Sequence, residues 1–201
     1  MRKDERRTQA ERAADTRETL MAAGRSLFAN PGFADVALET IVRDAGVTRG
    51  ALYHHFADKT ELFAAVFEQV EAEMAARMAE AVAAARETDP VEVMRLGTHF
   101  WLDACADPEV QRIVLMDAPA VLGWERWTEI GQRYNIGVVT GLLADAIDAG
   151  RIPPQPVEAT ALTMLGAVRE ATLYIARAKN QRQARKDAGA VMDRLIDSLR
   201  A

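Results

Sequence analysis

The stretch from Ala34 to Phe56, ADVALETIVRDAGVTRGALYHHF, constrains this chain more than any other. Leu38, Ile41, Val42 and Ala45 form a short apolar face at helical spacing, and Gly46 follows where a helix-ending glycine belongs. Thr48 can cap a second short helix, and Val47 before it with Leu52 four positions after it fits a hydrophobic staple. Gly46 permits the left-handed backbone that brings two helices together at a steep angle. The expectation is two short helices joined at Ala45-Gly46-Val47, with Thr48, Arg49, Gly50, Tyr53 and His54 facing outward.

The rest of the chain also reads as helix. Leu20, Ala23, Leu27 and Phe28 predict a helix from about Asp15 to Ala29, stopped by Asn30-Pro31-Gly32. Asp58 and Glu61 have capping-box spacing ahead of a long helix that reaches about Arg86, with Leu62, Phe63, Val66, Phe67, Val70 and Met74 as its apolar stripe. Asp89-Pro90 starts another helix, and Asp107-Pro108 and Ala118-Pro119 mark breaks. A helix from about Trp124 to Ala149 ends at Gly150, Pro153-Pro154-Gln155-Pro156 is a rigid connector, and two helices follow, about 157–178 and 184–199. Alanine, leucine, glutamate and arginine dominate, and no stretch alternates β-branched residues, so the fold class expected is all-α.

No run of about 18 apolar residues predicts a membrane span, and the charged N-terminus lacks the apolar core of a signal peptide. Cys105 is the sole cysteine; it reads as a small buried hydrophobe, and a reducing cytoplasm is the expected setting.

The net charge of -5 hides an asymmetry. Residues 1–60 hold ten Lys/Arg and nine Asp/Glu, a net of +1, which leaves 15 basic and 21 acidic residues, a net of -6, for the remainder. Arg2, Lys3, Arg6, Arg7, Arg12 and Arg17 crowd the start. A basic arm on an acidic body is consistent with a local nucleic-acid face.

Paired short helices of this kind can lay the second helix in a major groove. Thr48 and the helix N-terminus offer a hydroxyl and backbone N–H groups to phosphate. Arg49, the long cation of that helix, suits bidentate contact with a guanine edge. Gly50 permits close approach, Tyr53 can meet phosphate or sugar, His54 can reach base or backbone, and Lys59 can reach phosphate. Adjacent His54 and His55 point about 100° apart on a helix and make a poor metal site.

The residues from Thr16 to about Phe67 resemble the Tet-repressor (TetR/AcrR) family. The resemblance rests on Pro31-Gly32-Phe33, on Ala45-Gly46-Val47 through Leu52-Tyr53-His54-His55-Phe56, and on Asp58-Lys59-Thr60-Glu61-Leu62-Phe63. It implies a three-helix DNA-binding domain on a six-helix ligand-binding domain, about nine helices in all. It also implies a homodimer through the last two helices, and a DNA operator released by a small-molecule effector. Arg49, Tyr53, His54 and Lys59 fall at the family's DNA-contacting positions. Where the family has a Ser/Thr pair opening the second helix, this chain has Val36-Ala37, which leaves Thr40 as that helix's uncharged polar group and its candidate DNA contact; Val42 replaces the family's usual alanine. The domains expected are a flexible basic arm over 1–14, a helix-turn-helix domain over 15–60, and a ligand-binding and dimerisation domain over 61–201.

The C-terminal body gathers aromatic and flexible apolar residues. The candidate ligand contacts are His99, Trp101, Met116, Trp124, Trp127, Tyr134 and Glu170, with Asp103 and Asp117 as further polar candidates and Arg169 placed toward solvent. These aromatics can equally be core. Leu162, Leu165, Val168, Thr172 and Ile175, then Val191, Met192, Leu195, Ile196 and Leu199, are stripes suited to a four-helix dimer interface or to the domain's own core. No nucleophile–base pair, glycine-rich phosphate loop or metal-spaced cluster points to an enzyme, a cofactor or a metal site.

Overall fold

The computed structural model describes residues 8–104 and 106–200. These are helical, with no strand among the described residues: α1 (Gln9–Ala29), α2 (Leu38–Asp44), α3 (Arg49–His55), α4 (Lys59–Ala85), α5 (Pro90–Ala104), α6 (Pro108–Val110) running into a π-helical stretch (Gln111–Asp117), α7 (Ala118–Asp148), α8 (Val157–Arg177) and α9 (Gln181–Ser198). The chain divides into two compact units, one ending at Phe67 and the other beginning at Glu68, so that α4 belongs to both. The readings of Cys105 and of the arm over residues 1–7 lie outside the described residues.

The first helix starts at Gln9, not near Asp15, and residues 9–14 are therefore helix rather than arm. Polar residues at that end carry no apolar period to read, but Thr8 and Glu11 form a reciprocal capping box: Glu11 N donates to Thr8 Oγ1 at 3.2 Å and Thr8 N to Glu11 Oε2 at 2.6 Å. Leu20 and Phe28 of α1 are fully buried with Ile41, Leu52, Leu62 and Phe63. The rings of Phe28, Phe33 and Phe63 meet pairwise at 5.1–5.7 Å between centroids, two of the three pairs edge-to-face. This core fixes the scaffold on which α3 is displayed.

In the second unit, Val91, Met94, Leu143, Ala146, Ile152, Ala161 and Ile196 form one core cluster. Leu102, Ile175, Ala184, Ala188 and Met192 form another. Arg95 on α5 reaches Asp193 at 3.0 Å and Asp197 at 2.6 Å on α9, tying the two helices at their solvent edge. The long helix α7 is broken at Gly123, whose backbone (φ 76, ψ 163) suits a residue without Cβ; its regular part thus begins at Trp124, where the sequence predicted a start.

Candidate nucleic-acid interface and ligand cavity

The turn between α2 and α3 is built as its sequence dictates. Gly46 has φ +64, Val47 N donates to Val42 O at 3.1 Å, and Gly46 N donates to Arg43 O at 3.1 Å. Those two bonds make a Schellman stop. Thr48 then caps α3, its hydroxyl accepting from Ala51 N at 3.1 Å. Leu52 is fully buried and Phe56 nearly so, which anchors one face of α3 and leaves Thr48, Arg49, Gly50, Tyr53 and His54 exposed.

Arg49 is held on this exposed face. Its Nη2 donates to Tyr53 Oη at 3.2 Å, its guanidinium carbon lies 5.6 Å from the Tyr53 ring centre, and its Nη1 pairs with Glu39 Oε1 of α2 at 3.1 Å. The Tyr53 hydrogen bond, with the charge of Tyr53 and Glu39, raises the guanidinium above its ordinary pKa. Nothing within ordinary contact distance except Thr48 Oγ1, at 3.9 Å, would meet a Cβ at Gly50, so a side chain there would stand out from the helix. His55 is half-buried; burial first, then the charges of His54 and Arg17, lowers its pKa.

Two residues read from sequence as DNA contacts sit differently. Thr40 is half-buried on α2. Lys59 Nζ donates to Phe33 O at 2.9 Å and Val36 O at 2.8 Å, and lies 4.1 Å from the Phe33 ring centre. Two of its three N–H donors thus hold the loop before α2. That loop leads into an α2 whose N-cap, Ala37, makes no side-chain cap bond.

The second unit holds a cavity of about 460 Å³. Four helices turn one face each toward it, at spacings of three, four and seven. These are Glu71, Ala75, Met78 and Val82 of α4, Met94, Gly97, Thr98 and Trp101 of α5, Thr128, Gly131 and Asn135 of α7, and Leu162, Leu165, Arg169 and Thr172 of α8. The π-helical stretch adds Val114 and Leu115.

Of the expected ligand contacts, Trp101, Trp127 and Tyr134 line this cavity. Tyr134 donates to Glu68 Oε1 at 3.2 Å, and burial followed by the Glu68 charge raises its pKa. The other four do not line it. Met116 is 56% exposed, because the π-helical stretch turns Val114 and Leu115 inward instead. Trp124, 59% exposed, packs edge-to-face on Trp127 outside the cavity. Glu170 is exposed, since the α8 positions facing the cavity include its neighbour Arg169, about 100° away around the helix.

His99 faces α9. Its Nε2 is 2.9 Å from Asp193 Oδ1 and its Nδ1 2.9 Å from Arg185 Nη2. Burial works to raise Asp193, but hydrogen bonds from His99 and Arg95 outweigh it and hold that carboxyl below its ordinary pKa. Asp103 pairs with Arg185 at 2.7 Å and Asp117 with Arg112 at 3.3 Å. Arg169, expected toward solvent, lines the cavity and stacks on Trp124 and Trp127, 4.5 and 5.6 Å from their ring centres.

Sequence reasoning missed the cavity's polar groups. Glu71 is 4% and Asn135 8% exposed, and Glu71 Oε2, Thr128 Oγ1 and Asn135 Oδ1 are buried without a hydrogen-bond partner. Desolvation pushes the Glu71 carboxyl up to about 7, against a lowering hydrogen bond from Asn135. The signal was present: Glu71 stands four residues after Phe67 and seven before Met78, within the apolar stripe of α4.

A capped, exposed short helix after a glycine turn, joined through α4 to a helical unit with a largely apolar cavity, defines the class of helix-turn-helix regulators with a ligand-binding domain. Residues 20–66 match the family described as "Bacterial regulatory proteins, tetR family", and residues 91–199 match "Tetracyclin repressor-like, C-terminal domain". The chain belongs to the TetR family of transcriptional regulators.

A solved TetR-family transcriptional regulator from Pectobacterium atrosepticum is 35% identical, with 96% of this chain and 97% of that one aligned at a TM-score of 0.83. The transcriptional regulator CymR of Pseudomonas putida is 34% identical over 119 residues, 58% of this chain; the chain spans 59% of CymR's length. RolR, solved in complex with resorcinol, shares the fold at a TM-score of 0.72 and 19% identity, over 93% of this chain and 90% of that one.

Proposed function

We propose that this protein is a ligand-responsive repressor that binds a near-palindromic operator as a homodimer and leaves it when a small, largely apolar molecule fills the cavity. The observation that carries this reading is α3, a capped helix anchored by buried Leu52 with Arg49, Tyr53 and His54 on its open face. In this reading Arg49 reads a guanine edge, Thr48 and Tyr53 hold phosphate, and His54 meets base or backbone. Thr40 is a secondary phosphate contact, and the Lys59 ammonium serves chiefly to clamp the loop ahead of α2. The resorcinol complex of RolR supports an aromatic effector class for a cavity carrying Trp101 and Trp127.

The dimer is formed by α8 and α9. Leu162 and Tyr174 on α8 and Val191 and Leu195 on α9 are exposed apolar side chains, which suit burial against a second copy. A two-fold pair sets recognition helices about 34–36 Å apart, one turn of DNA. Among the described residues no helix is long and apolar enough to cross a membrane, and DNA as partner makes the cytoplasm the working compartment. Helix α4 begins beside the loop held by Lys59 and farther on lines the cavity, so a ligand that prefers one setting of α4 biases DNA binding. A coupling of about 1–3 kcal/mol changes occupancy about 5–150-fold.

Selection of bound duplexes from a random DNA pool tests the reading. Enrichment of one near-palindrome, lost on adding a member of a metabolite panel, is the expected result. Recovery of unenriched DNA overturns it.

A further inference from the structure

The cavity is apolar over most of its wall, yet two side chains more than nine-tenths buried present open acceptor oxygens in it. Glu71 Oε2 comes from α4 and Asn135 Oδ1 from α7; the Asn135 amide donates one N–H to Gly131 O at 2.8 Å and hydrogen-bonds the Glu71 carboxyl, yet both of these oxygens stay open. A buried acceptor without a donor carries a desolvation cost, and a ligand that supplies the donor relieves it. Thr128 Oγ1, also open, stands seven residues before Asn135 on the same face of α7, about 10 Å along the helix. The wall therefore has one acceptor-rich end and, two turns away, a hydroxyl.

Resting on the reading of this cavity as the effector site, we propose that the effector is an uncharged, largely apolar molecule whose hydroxyl donates to Glu71 Oε2 beside Asn135 Oδ1. Two features set the charge. A carboxylate on the ligand would face two open acceptor oxygens at that end. An ammonium would share the cavity with the Arg169 guanidinium. A neutral hydroxyl meets neither penalty, and Trp101 and Trp127 give its aromatic or aliphatic body a flat apolar wall.

Calorimetric titration of the full chain with four matched probes tests this: para-propylphenol, its methyl ether, para-propylbenzoate and para-propylbenzylammonium. The phenol is expected to bind at least about tenfold more tightly than the ether, since only the phenol satisfies the buried acceptor. It is also expected to exceed both charged probes. In Glu71→Met, and in Glu71→Gln, whose amide can itself donate to an ether oxygen, the phenol-to-ether ratio should fall to within about threefold.

Equal binding of phenol and ether by the native chain overturns the proposal, as does preference for a charged probe, or a ratio unchanged in both variants. So does failure of all four to bind. A gel shift on the selected operator without any probe is run in parallel. Its failure counts against the regulator reading; an intact shift with a failed probe series counts against the hydroxyl alone.

Discussion

Arg49 of α3 is paired with Glu39 of α2, Nη1 to Oε1 at 3.1 Å, while the same guanidinium donates to Tyr53 Oη at 3.2 Å. The side chain proposed to read a base is thus already engaged on the protein surface, and DNA must compete for it. The pair is exposed at both ends and so is worth little to stability. Arg49→Ala should weaken operator binding by about 1–3 kcal/mol and relax the base preference at one position. Glu39→Gln should do the opposite, tightening binding to all DNA, because it removes a competitor and a negative charge facing phosphate. Gel shifts on the selected operator and on point-changed duplexes measure both; an Arg49→Ala variant with unchanged sequence preference removes Arg49 from base reading.

Lys59 yields a prediction that differs from the usual expectation for a basic residue beside DNA. Its ammonium bridges the Phe33 and Val36 carbonyls ahead of α2 and sits over the Phe33 ring. Lys59→Met keeps the stem but leaves two carbonyls short of a donor, at a cost of about 1–3 kcal/mol in chemical denaturation. A residue whose main task is this clamp should leave the salt dependence of DNA affinity nearly unchanged. If its third N–H carries a phosphate contact, the slope of log affinity against log salt falls by about one instead.

The reach of sequence reasoning follows from where each feature is encoded. The α2–α3 turn is local: Gly46, Thr48 and Leu52 lie within seven residues, and their turn, cap and anchor roles are the ones observed. Asp58 likewise caps α4, accepting from Glu61 N at 2.9 Å. The cavity is not local, because four helices each supply one face and their mutual rotation is set by packing. Sequence offers Trp101 and Trp127 as candidate ligand contacts but cannot separate them from Met116 and Trp124, which are exposed. His99 reads as a ligand contact until α9 is known to bring Asp193 within 2.9 Å of it. Glu71 was passed over because a carboxylate on a long helix reads as solvated unless its place in the apolar stripe is checked.

The α8–α9 surface gives a test of assembly. The sequence stripe on α9 divides in the fold: Met192 and Ile196 are buried in the subunit, whereas Val191 and Leu195, one turn apart, are exposed. Replacing both exposed residues with glutamate leaves the core intact, so thermal melting of dilute protein should change little. Sedimentation velocity should then report the mass of one chain instead of two, with operator affinity falling at least about tenfold because half-sites are no longer bound together. A variant that still sediments as a dimer moves the interface elsewhere.

Glu71 sets a pH dependence whose sign can be worked out. Its carboxyl, raised from the ordinary 4.5 to about 7 by burial, keeps its proton in the folded chain at pH values where the unfolded chain has lost it. Tyr134, also raised, stays neutral throughout and does not titrate in this window. Between about pH 4.5 and pH 7 the folded state binds more protons, and stability therefore falls as pH rises. The full span is about 3 kcal/mol, present below the lower value and lost above the upper one. Glu71→Gln cannot titrate. Urea denaturation of both proteins from pH 5 to pH 8 should show the native chain losing stability relative to the variant, with the difference levelling off above about pH 7. A difference flat across that range means that Glu71 is ionised at its ordinary pKa, and that water or a polar neighbour already serves its open oxygen.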